Sequence, residues 1–250
     1  MSLFEDLRTD AAPEWEAYTR HDFVQQLGAG TLPLEAFQDY LVQDYLFLIQ
    51  FARANALAAS RSRRLADIRR SADALGAILA ETELHVRLTG QWGIDRATLE
   101  AAPEKLATVA YTRYVLDSGH VGDLLDLTVA LAPCAVGYAE IGRDLAPRLD
   151  GRQDHPYRDW IAEYAGMPFQ RAAREAIDHL DTLAERSLTE QRYEELVTVF
   201  RTATRLETDF WQQALDHSSG GGGRPTGEQR SPHGPIEVTT QGRRGRRTGP

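Results

Sequence analysis

Helical spacing of apolar residues runs through almost the whole chain and constrains its fold more than any other feature. Between residues 34 and 60 the large apolar side chains recur at helical spacing, at Phe37, Leu41, Leu48 and Phe51. So many large residues around one helix indicate burial on most sides. No alternating segment rich in Val and Ile is long enough for a strand. The sequence therefore predicts an all-α, single-domain helical bundle with short connections.

Glycines and prolines divide this pattern into seven or eight helices. Gly28-Ala29-Gly30 is a C-terminal signal, and Pro33 suits the first turn of the next helix. The helix after Pro156 is expected to bend around Gly166 and Pro168. We predict helices over about residues 3–11, 14–27, 33–60, 65–91, 104–118, 122–149, 156–186 and 189–217, with a short turn at 98–101.

The composition changes abruptly at Ser218. Residues 218–250 contain nine Gly and four Pro, with Ile236 and Val238 as the only aliphatic side chains. Such a segment buries too little apolar surface to offset the entropy of ordering, so we predict a disordered tail at 218–250 after an all-helical domain at 1–217. The tail carries a net charge of +4 within a total of −9, which leaves −13 on the domain. That acidic domain argues against a nucleic-acid partner.

Targeting signals are absent from the sequence pattern. No uninterrupted apolar run approaches the roughly 20 residues that span a bilayer, so no membrane association is expected. The residues after Met1 lack a basic and an apolar region of a secretory signal. The single cysteine, Cys134, has no partner for an internal disulfide, which suits a reducing, cytoplasmic location.

Cys134 lies in an unusual segment, Leu131 to Tyr138, that otherwise has a helical pattern. Pro133 directly precedes it, and a proline inside a helix bends the helix and frees the carbonyl four residues back. Such a bend is one way to direct a thiol into a cavity, but a lone buried cysteine is usually an inert apolar residue. Taken alone, the segment leaves both interpretations open.

Two carboxylates are placed beside large aromatic residues. Asp44 lies at helical spacing from Tyr40 and Phe47, and Glu207 precedes Phe210 and Trp211 by three and four residues. A carboxylate on an aromatic stripe is costly to bury unless it has a partner. Each therefore either faces solvent or binds something.

A metal site is the main alternative on residue types alone. Glu81 and His85 form one i, i+4 pair and Glu175 and His179 another, and paired Glu/His helices build di-metal sites in bundles. Further ligands would come from His21, His120 and His155. We expect these pairs instead to stabilise solvated helix faces, with no metal and no cofactor. No phosphate-binding or dinucleotide glycine motif is present.

In combination, four blocks resemble the TenA family, also called thiaminase II, over about residues 3–216. They are His21-Asp22-Phe23-Val24 with Gly28 to Pro33, Tyr40 to Phe47 with Gln43-Asp44, Leu131-Ala132-Pro133-Cys134 with Tyr138 to Gly142, and Glu207-Thr208-Asp209-Phe210-Trp211. The resemblance implies a haem-oxygenase-like fold without haem and a homotetramer. It also implies hydrolysis of 4-amino-5-aminomethyl-2-methylpyrimidine to the hydroxymethyl pyrimidine, and in many members cleavage of thiamine.

Matching the motifs implies a role for each site residue. Cys134 is implied as the nucleophile, Asp44 as the carboxylate that holds the pyrimidine, and Glu207 as the acid and base at the leaving group. The implied ring-binding residues are Phe47, Tyr111, Tyr138 and Tyr164. An attacking thiolate requires a lowered pKa at Cys134, so we expect surroundings that lower it.

One departure concerns the segment after the cysteine. Some family members have bulky aromatics where this chain has Ala135-Val136-Gly137, and we expect the smaller residues to widen or reshape the pocket. Two other functions fit parts of the pattern. They are a metal-dependent oxidase on the same fold and a non-catalytic pyrimidine-binding protein.

Overall fold

The computed structural model describes residues 2–220 of the chain. The last helix continues to Gly220, so it extends three residues into the segment predicted as a tail. The helix runs on through Ser218 and Ser219 into the first glycine of that segment. The rest of the predicted tail, 221–250, lies outside the described residues.

Within residues 2–220 the chain forms α-helices and one 3₁₀ turn, with no strand, which confirms the all-α prediction. The helices are α1 (Leu3–Asp10), α2 (Ala12–Thr19), α3 (Asp22–Ala29), α4 (Leu34–Arg61), α5 (Leu65–Gly90), α6 (Arg96–Ala101), α7 (Leu106–Val121), α8 (Leu124–Leu145), α9 (Arg158–Ala165), α10 (Met167–Ser187) and α11 (Glu190–Gly220). The 3₁₀ turn Ala146–Leu149 follows α8 directly.

The single helix predicted over 14–27 is wrong, because the chain forms two helices there. α2 ends at Thr19, and His21 in extended conformation caps α3 by accepting a hydrogen bond from the Phe23 N–H at 3.2 Å. The Nδ1 of a histidine satisfies one of the amide groups left free at a helix start. α3 then ends at Gly30, whose φ of 77° places it in the left-handed region that glycine adopts without strain.

The bend predicted between 156 and 186 is a full break. Gly166 has an extended backbone (φ −63°, ψ 145°) between α9 and α10, and Pro168 lies in the first turn of α10. α8 begins at Leu124, two residues after the predicted start at 122. Its first turn is closed by a capping box, in which Asp123 and Asp126 each accept a hydrogen bond from the other's backbone N–H.

α8 is the central helix of the bundle and packs against α4, α7, α9, α10 and α11. By length and composition the segment Leu124–Leu149 would be apolar enough to cross a membrane, but 67% of that apolar window is buried inside the protein. It is therefore best described as a core helix. Pro133 and Cys134 lie in the middle of this helix, where Pro133 is buried and Cys134 is half-buried against the core.

Candidate active site

Cys134 lies on α8 among the carboxylates of three neighbouring helices. Its side chain packs against the main hydrophobic core. Burial raises the pKa of the thiol well above its usual value, and the charges of Glu207, Asp44 and Glu81 raise it further. The expected lowering of the pKa is therefore wrong: the surroundings are apolar and acidic, so the resting side chain is a neutral thiol.

Asp44 lies on α4 at the centre of a buried hydrogen-bond network. Its Oδ2 accepts from the Tyr40 hydroxyl at 3.0 Å and lies 2.6 Å from the Nε2 of His85 on α5. The indole N–H of Trp160 on α9 in turn donates to the Tyr40 oxygen at 3.1 Å. Side chains of three helices thus fix the position of this carboxylate. The sequence left two possibilities for Asp44, exposure to solvent or binding to a partner, and the second one holds.

His85 is the charged partner of Asp44. Burial lowers the pKa of His85, but the hydrogen bond and charge of Asp44, together with the charge of Glu81, outweigh it and raise the pKa to about 9. The Nδ1 lies 3.0 Å from the backbone carbonyl of Glu81, so both ring nitrogens face acceptors. Both are donors only in the imidazolium form. The prediction that Glu81 and His85 form a solvated surface pair is wrong, because His85 is buried.

Glu207 on α11 is the second buried carboxyl group of the cluster. Its Oε1 accepts from the Tyr111 hydroxyl of α7 at 2.8 Å. Burial raises the pKa of Glu207 to about 8; the Tyr111 hydrogen bond opposes this shift and the charge of Asp44 adds to it. Glu207 therefore holds a proton near neutral pH, unlike an ordinary glutamate.

Aromatic rings enclose these groups on two sides. Phe47 stacks on Tyr111 with centroids 5.1 Å apart and an interplanar angle of 26°. On the other side Tyr138 packs against Tyr164 at 5.0 Å and against Trp211 at 5.3 Å. The walls are therefore flat and apolar, as a planar heterocycle requires.

Glu81 is a third carboxyl group near the cluster, and sequence reasoning did not assign it to the site. Its Oε1 accepts from the Tyr164 hydroxyl at 2.8 Å, and burial is the main cause of its raised pKa. Tyr164 is thus held by a partner of its own. The sequence shows that Glu81 precedes His85 by four residues, but this spacing is also that of an ordinary pair on a solvated helix face.

Several polar atoms in this cluster have no hydrogen-bond partner among the described residues. They are the Oδ1 of Asp44, the Oε2 of Glu207, the hydroxyl of Tyr138 and the thiol of Cys134. Burial raises the pKa of Tyr138, and the charges of Tyr40, Asp44 and Glu207 raise it further. One buried donor of the cluster, the indole N–H of Trp211, also lacks a hydrogen-bond partner among residues 2–220, whereas buried polar groups normally have one. Polar groups without protein partners that lie together beside aromatic side chains are typical of a site for a polar, planar ligand.

The two Glu/His pairs of the metal alternative do not come together. His85 contacts Asp44, whereas the Nδ1 of His179 lies 4.0 Å from Asp67, near the opposite end of α5. Residues 67 and 85 are separated by about 27 Å along a helix. Within residues 2–220 no group of three or more His, Cys, Asp or Glu side chains is arranged to hold a metal ion.

The three further histidines of the metal alternative lie apart from the cluster and make contacts within the fold. His21 caps α3, and the Nε2 of His155 lies 3.2 Å from the carbonyl of Gly28. His120 accepts through its backbone carbonyl from Arg61 at 2.7 Å. A surface cleft of about 540 Å³ near Arg63 and Arg186 contains none of the residues of the cluster.

Fold and site together define a class of protein: an all-α bundle whose central helix carries a thiol beside two buried carboxyl groups and a set of aromatic side chains. The model of the TENA/THI-4/PQQC family matches residues 8–217. The chain therefore belongs to this family, which confirms the resemblance drawn from its motifs.

Individual relatives agree with this assignment. The chain is 39% identical to an aminopyrimidine aminohydrolase of Halalkalibacterium halodurans, over 86% of this chain and 96% of that protein. It is 32% identical to an aminopyrimidine aminohydrolase of Bacillus subtilis, over 86% and 90%. Among solved structures, a TenA family transcription regulator from Silicibacter sp. TM1040 superposes with a TM-score of 0.81 at 43% identity, covering 85% of this chain and 96% of that one.

Proposed function

We propose that this chain is an aminopyrimidine aminohydrolase of thiamine salvage. It converts 4-amino-5-aminomethyl-2-methylpyrimidine and water to the 5-hydroxymethyl pyrimidine and ammonia. The observation that carries this proposal is the cluster that Cys134, Asp44 and Glu207 form inside the bundle, with Phe47 and Tyr111 stacked beside it. The relatives named aminopyrimidine aminohydrolase, which match the chain over most of its length, support it.

Asp44 is the group that binds the pyrimidine. His85 and Tyr40 occupy its Oδ2, which leaves Oδ1 to accept from the ring nitrogen and exocyclic amino group of the substrate. A carboxylate beside the ring nitrogen favours the protonated ring, because opposite charges attract strongly in an apolar pocket. A protonated ring is more electron-poor and accepts a nucleophile more readily. Phe47, Tyr111, Tyr138 and Tyr164 form the walls around it.

Cys134 is the nucleophile in this proposal. Its sulfur forms a bond to a ring carbon, while the thiol proton passes to a ring nitrogen, so that a neutral thiol adds across a C=N bond. An electron pair of the dearomatised ring then expels the amine from the methylene carbon, which becomes an exocyclic methylene group. Water adds to the exocyclic methylene, and departure of the thiol restores the aromatic ring. One difficult substitution is thereby divided into easier steps.

Glu207 supplies and removes the protons at the leaving group. With a pKa of about 8 it is a carboxylic acid near neutral pH and can protonate the departing amine. The carboxylate so formed takes a proton from the incoming water, which returns Glu207 to its starting state. Tyr111 orients this group through the 2.8 Å hydrogen bond.

The same site would cleave thiamine if the thiazolium took the place of the amine as leaving group. A steady-state comparison of the aminomethyl pyrimidine with thiamine tests the proposed substrate directly, with Cys134→Ala as the control. Higher kcat/KM for the aminomethyl pyrimidine supports the proposal. Turnover of neither substrate, with the protein folded, would refute it and favour a non-catalytic pyrimidine-binding role.

The proposal includes a homotetramer located in the cytoplasm. Exposed apolar side chains support self-association: Leu106 and Val121 at the two ends of α7 are 89% and 82% exposed. Leu65 and Leu79 on α5 are 61% and 55% exposed. Large side chains of this kind are typical of surfaces that a partner covers. Light scattering on the eluted protein distinguishes a tetramer from a monomer.

A further inference from the structure

Gly137, three residues after Cys134, fits against Tyr18 so closely that no larger residue has space there. A Cβ atom at position 137 would lie 2.7 Å from the Tyr18 hydroxyl oxygen and 2.8 Å from its Cζ, and closer still to Cε1. The space gained by the small residue on α8 is therefore filled by a tyrosine from α2. We expected the small residues after Cys134 to widen or reshape the pocket, and at Gly137 the ring of Tyr18 occupies the space that the absent side chain leaves.

Tyr18 also contacts α8 on the other side of the nucleophile. Its side chain is fully buried, and its hydroxyl donates to the carbonyl oxygen of Pro133 at 3.5 Å. Pro133 and Gly137 are one helical turn apart and flank Cys134 in sequence. One tyrosine thus supports the whole turn that carries the thiol.

The ring of Tyr18 belongs to the aromatic lining of the site. It stacks on Trp211 with centroids 6.2 Å apart at 15°, and lies 6.5 Å from Tyr138. Burial raises the pKa of Tyr18, and the charges of Glu207 and Cys134 raise it further, so its hydroxyl stays protonated. Neither the thiamine-salvage reaction as proposed above nor the family motifs assign a role to this residue.

We propose that Tyr18 is a positioning and size-determining residue of the site. Its ring, seated against Gly137, closes the wall of the pocket beside Cys134, and its hydroxyl on the Pro133 carbonyl holds the turn that presents the thiol. The pair Tyr18 and Gly137 thereby limits the size of the ring substituents that fit next to the nucleophile. This inference rests on the proposed hydrolysis of aminopyrimidines.

A steric test compares two helical glycines. Gly137→Ala should lower the melting temperature and the activity sharply, whereas Gly76→Ala on α5, where an added Cβ meets nothing within 4 Å, should keep the activity and not lower the melting temperature. Tyr18→Ala should lower the melting temperature less in the Gly137→Ala protein than in the wild type, because removal of the ring also removes the clash. Equal behaviour of the two glycine variants, or additive effects of Tyr18→Ala and Gly137→Ala, would overturn the fit between Tyr18 and Gly137.

A functional test separates positioning from packing. Tyr18→Phe removes only the hydroxyl, and we expect kcat to fall about three- to tenfold with KM and melting temperature unchanged. Tyr18→Ala should lower kcat/KM for the methylpyrimidine while raising the relative kcat/KM for an analogue with a propyl group at the 2-position. Wild-type kinetics and selectivity in both variants would refute the role.

The reactivity of the thiol gives a readout that does not depend on turnover. Cys134 is the only cysteine, so alkylation by iodoacetamide reports this site alone. Tyr18→Ala should increase its alkylation rate about tenfold or more, because the wall beside the sulfur is opened. An unchanged rate would contradict the inference even if the hydrolase activity is confirmed, and a faster rate would support it even if the substrate proves to be different.

Discussion

The Nε2 of His85 lies 2.6 Å from the Oδ2 of Asp44, and both side chains are buried in the core. The opposite nitrogen of the imidazole faces the carbonyl of Glu81 at 3.0 Å, so the ring is held in one orientation. A buried ion pair therefore fixes the carboxylate that we assign to pyrimidine binding. The contacts of Tyr40 on α4 and His85 on α5 with the Oδ2 of Asp44 thereby also fix the direction of its Oδ1.

Removal of one partner of this pair should be costly. We expect Asp44→Ala to lower the free energy of unfolding by about 3 kcal/mol, near the lower end for a broken buried pair because the imidazole can lose its proton. The double variant Asp44→Ala/His85→Ala should cost less than the sum of the single changes. Urea unfolding measures all three.

The matched control is Glu83→Gln. Glu83 lies on the same helix as His85, and its substitution breaks an exposed ion pair with Arg96 of α6. Exposed pairs contribute about 0–1 kcal/mol, so this variant should remain close to wild type. Additive effects at Asp44 and His85 would show that the two side chains are not coupled.

Stability should fall as the pH rises from 6.5 to 9. The folded pKa values of His85 and Glu207, about 9 and about 8, are both above the ordinary values of 6.5 and 4.5. The folded protein thus binds more protons than the unfolded chain, and the free energy of unfolding decreases by up to about 1.4 kcal/mol per pH unit for each such group. The midpoint of urea unfolding should decrease across this range. Below pH 8 it should decrease less steeply in Glu207→Gln than in the wild type, because the contribution of Glu207 is absent. A flat or rising series would contradict these assignments.

Glu207→Gln should reduce kcat by roughly 10²–10⁴-fold with KM changed only a few-fold, since proton transfer assists the transition state more than binding. Asp209→Asn provides the control, because Asp209 is exposed and lies two residues away on α11. A large increase in KM without loss of kcat would place Glu207 in substrate binding instead.

Tyr111→Phe should move the alkaline limb of the kcat profile to higher pH. The hydroxyl of Tyr111 lowers the pKa of Glu207, so its loss lets that pKa rise further, by about one unit. Tyr114→Phe, one turn along α7, should leave the profile unchanged. The interpretation fails if both variants titrate like the wild type.

Activity should persist after dialysis against a chelator, with metal well below one equivalent by elemental analysis. His85→Asn should lower activity through Asp44, whereas His179→Asn should not, because His179 lies near Asp67 at the far end of α5. Equal losses in both variants, reversed by added iron, would instead support the metal-dependent oxidase.

The bundle was predictable because helix periodicity and helix end signals are local properties of the sequence. α4, for example, is found at Leu34–Arg61 where apolar spacing predicted 33–60. The break at Arg20 was missed, since no glycine or proline marks it and His21 acts as an unexpected cap. Such a cap depends on a single side-chain hydrogen bond.

The contents of the site were only partly predictable. Cys134, Asp44 and Glu207 were identified through motifs, but the partnership of Asp44 with His85 joins residues 41 positions apart and depends on how α4 packs on α5. The pKa of Cys134 was predicted in the wrong direction because burial and neighbouring charges are properties of the assembled bundle. The fit of Tyr18 to Gly137 is likewise a contact between distant segments.

The central claim is that Cys134 is the nucleophile of an aminopyrimidine hydrolase, and the most direct measurement is steady-state hydrolysis of the aminomethyl pyrimidine by Cys134→Ser. We predict that kcat/KM falls by at least about 10³-fold while the circular dichroism spectrum and melting temperature remain those of the wild type. A Cys134→Ser protein that retains near-wild-type activity would contradict the account.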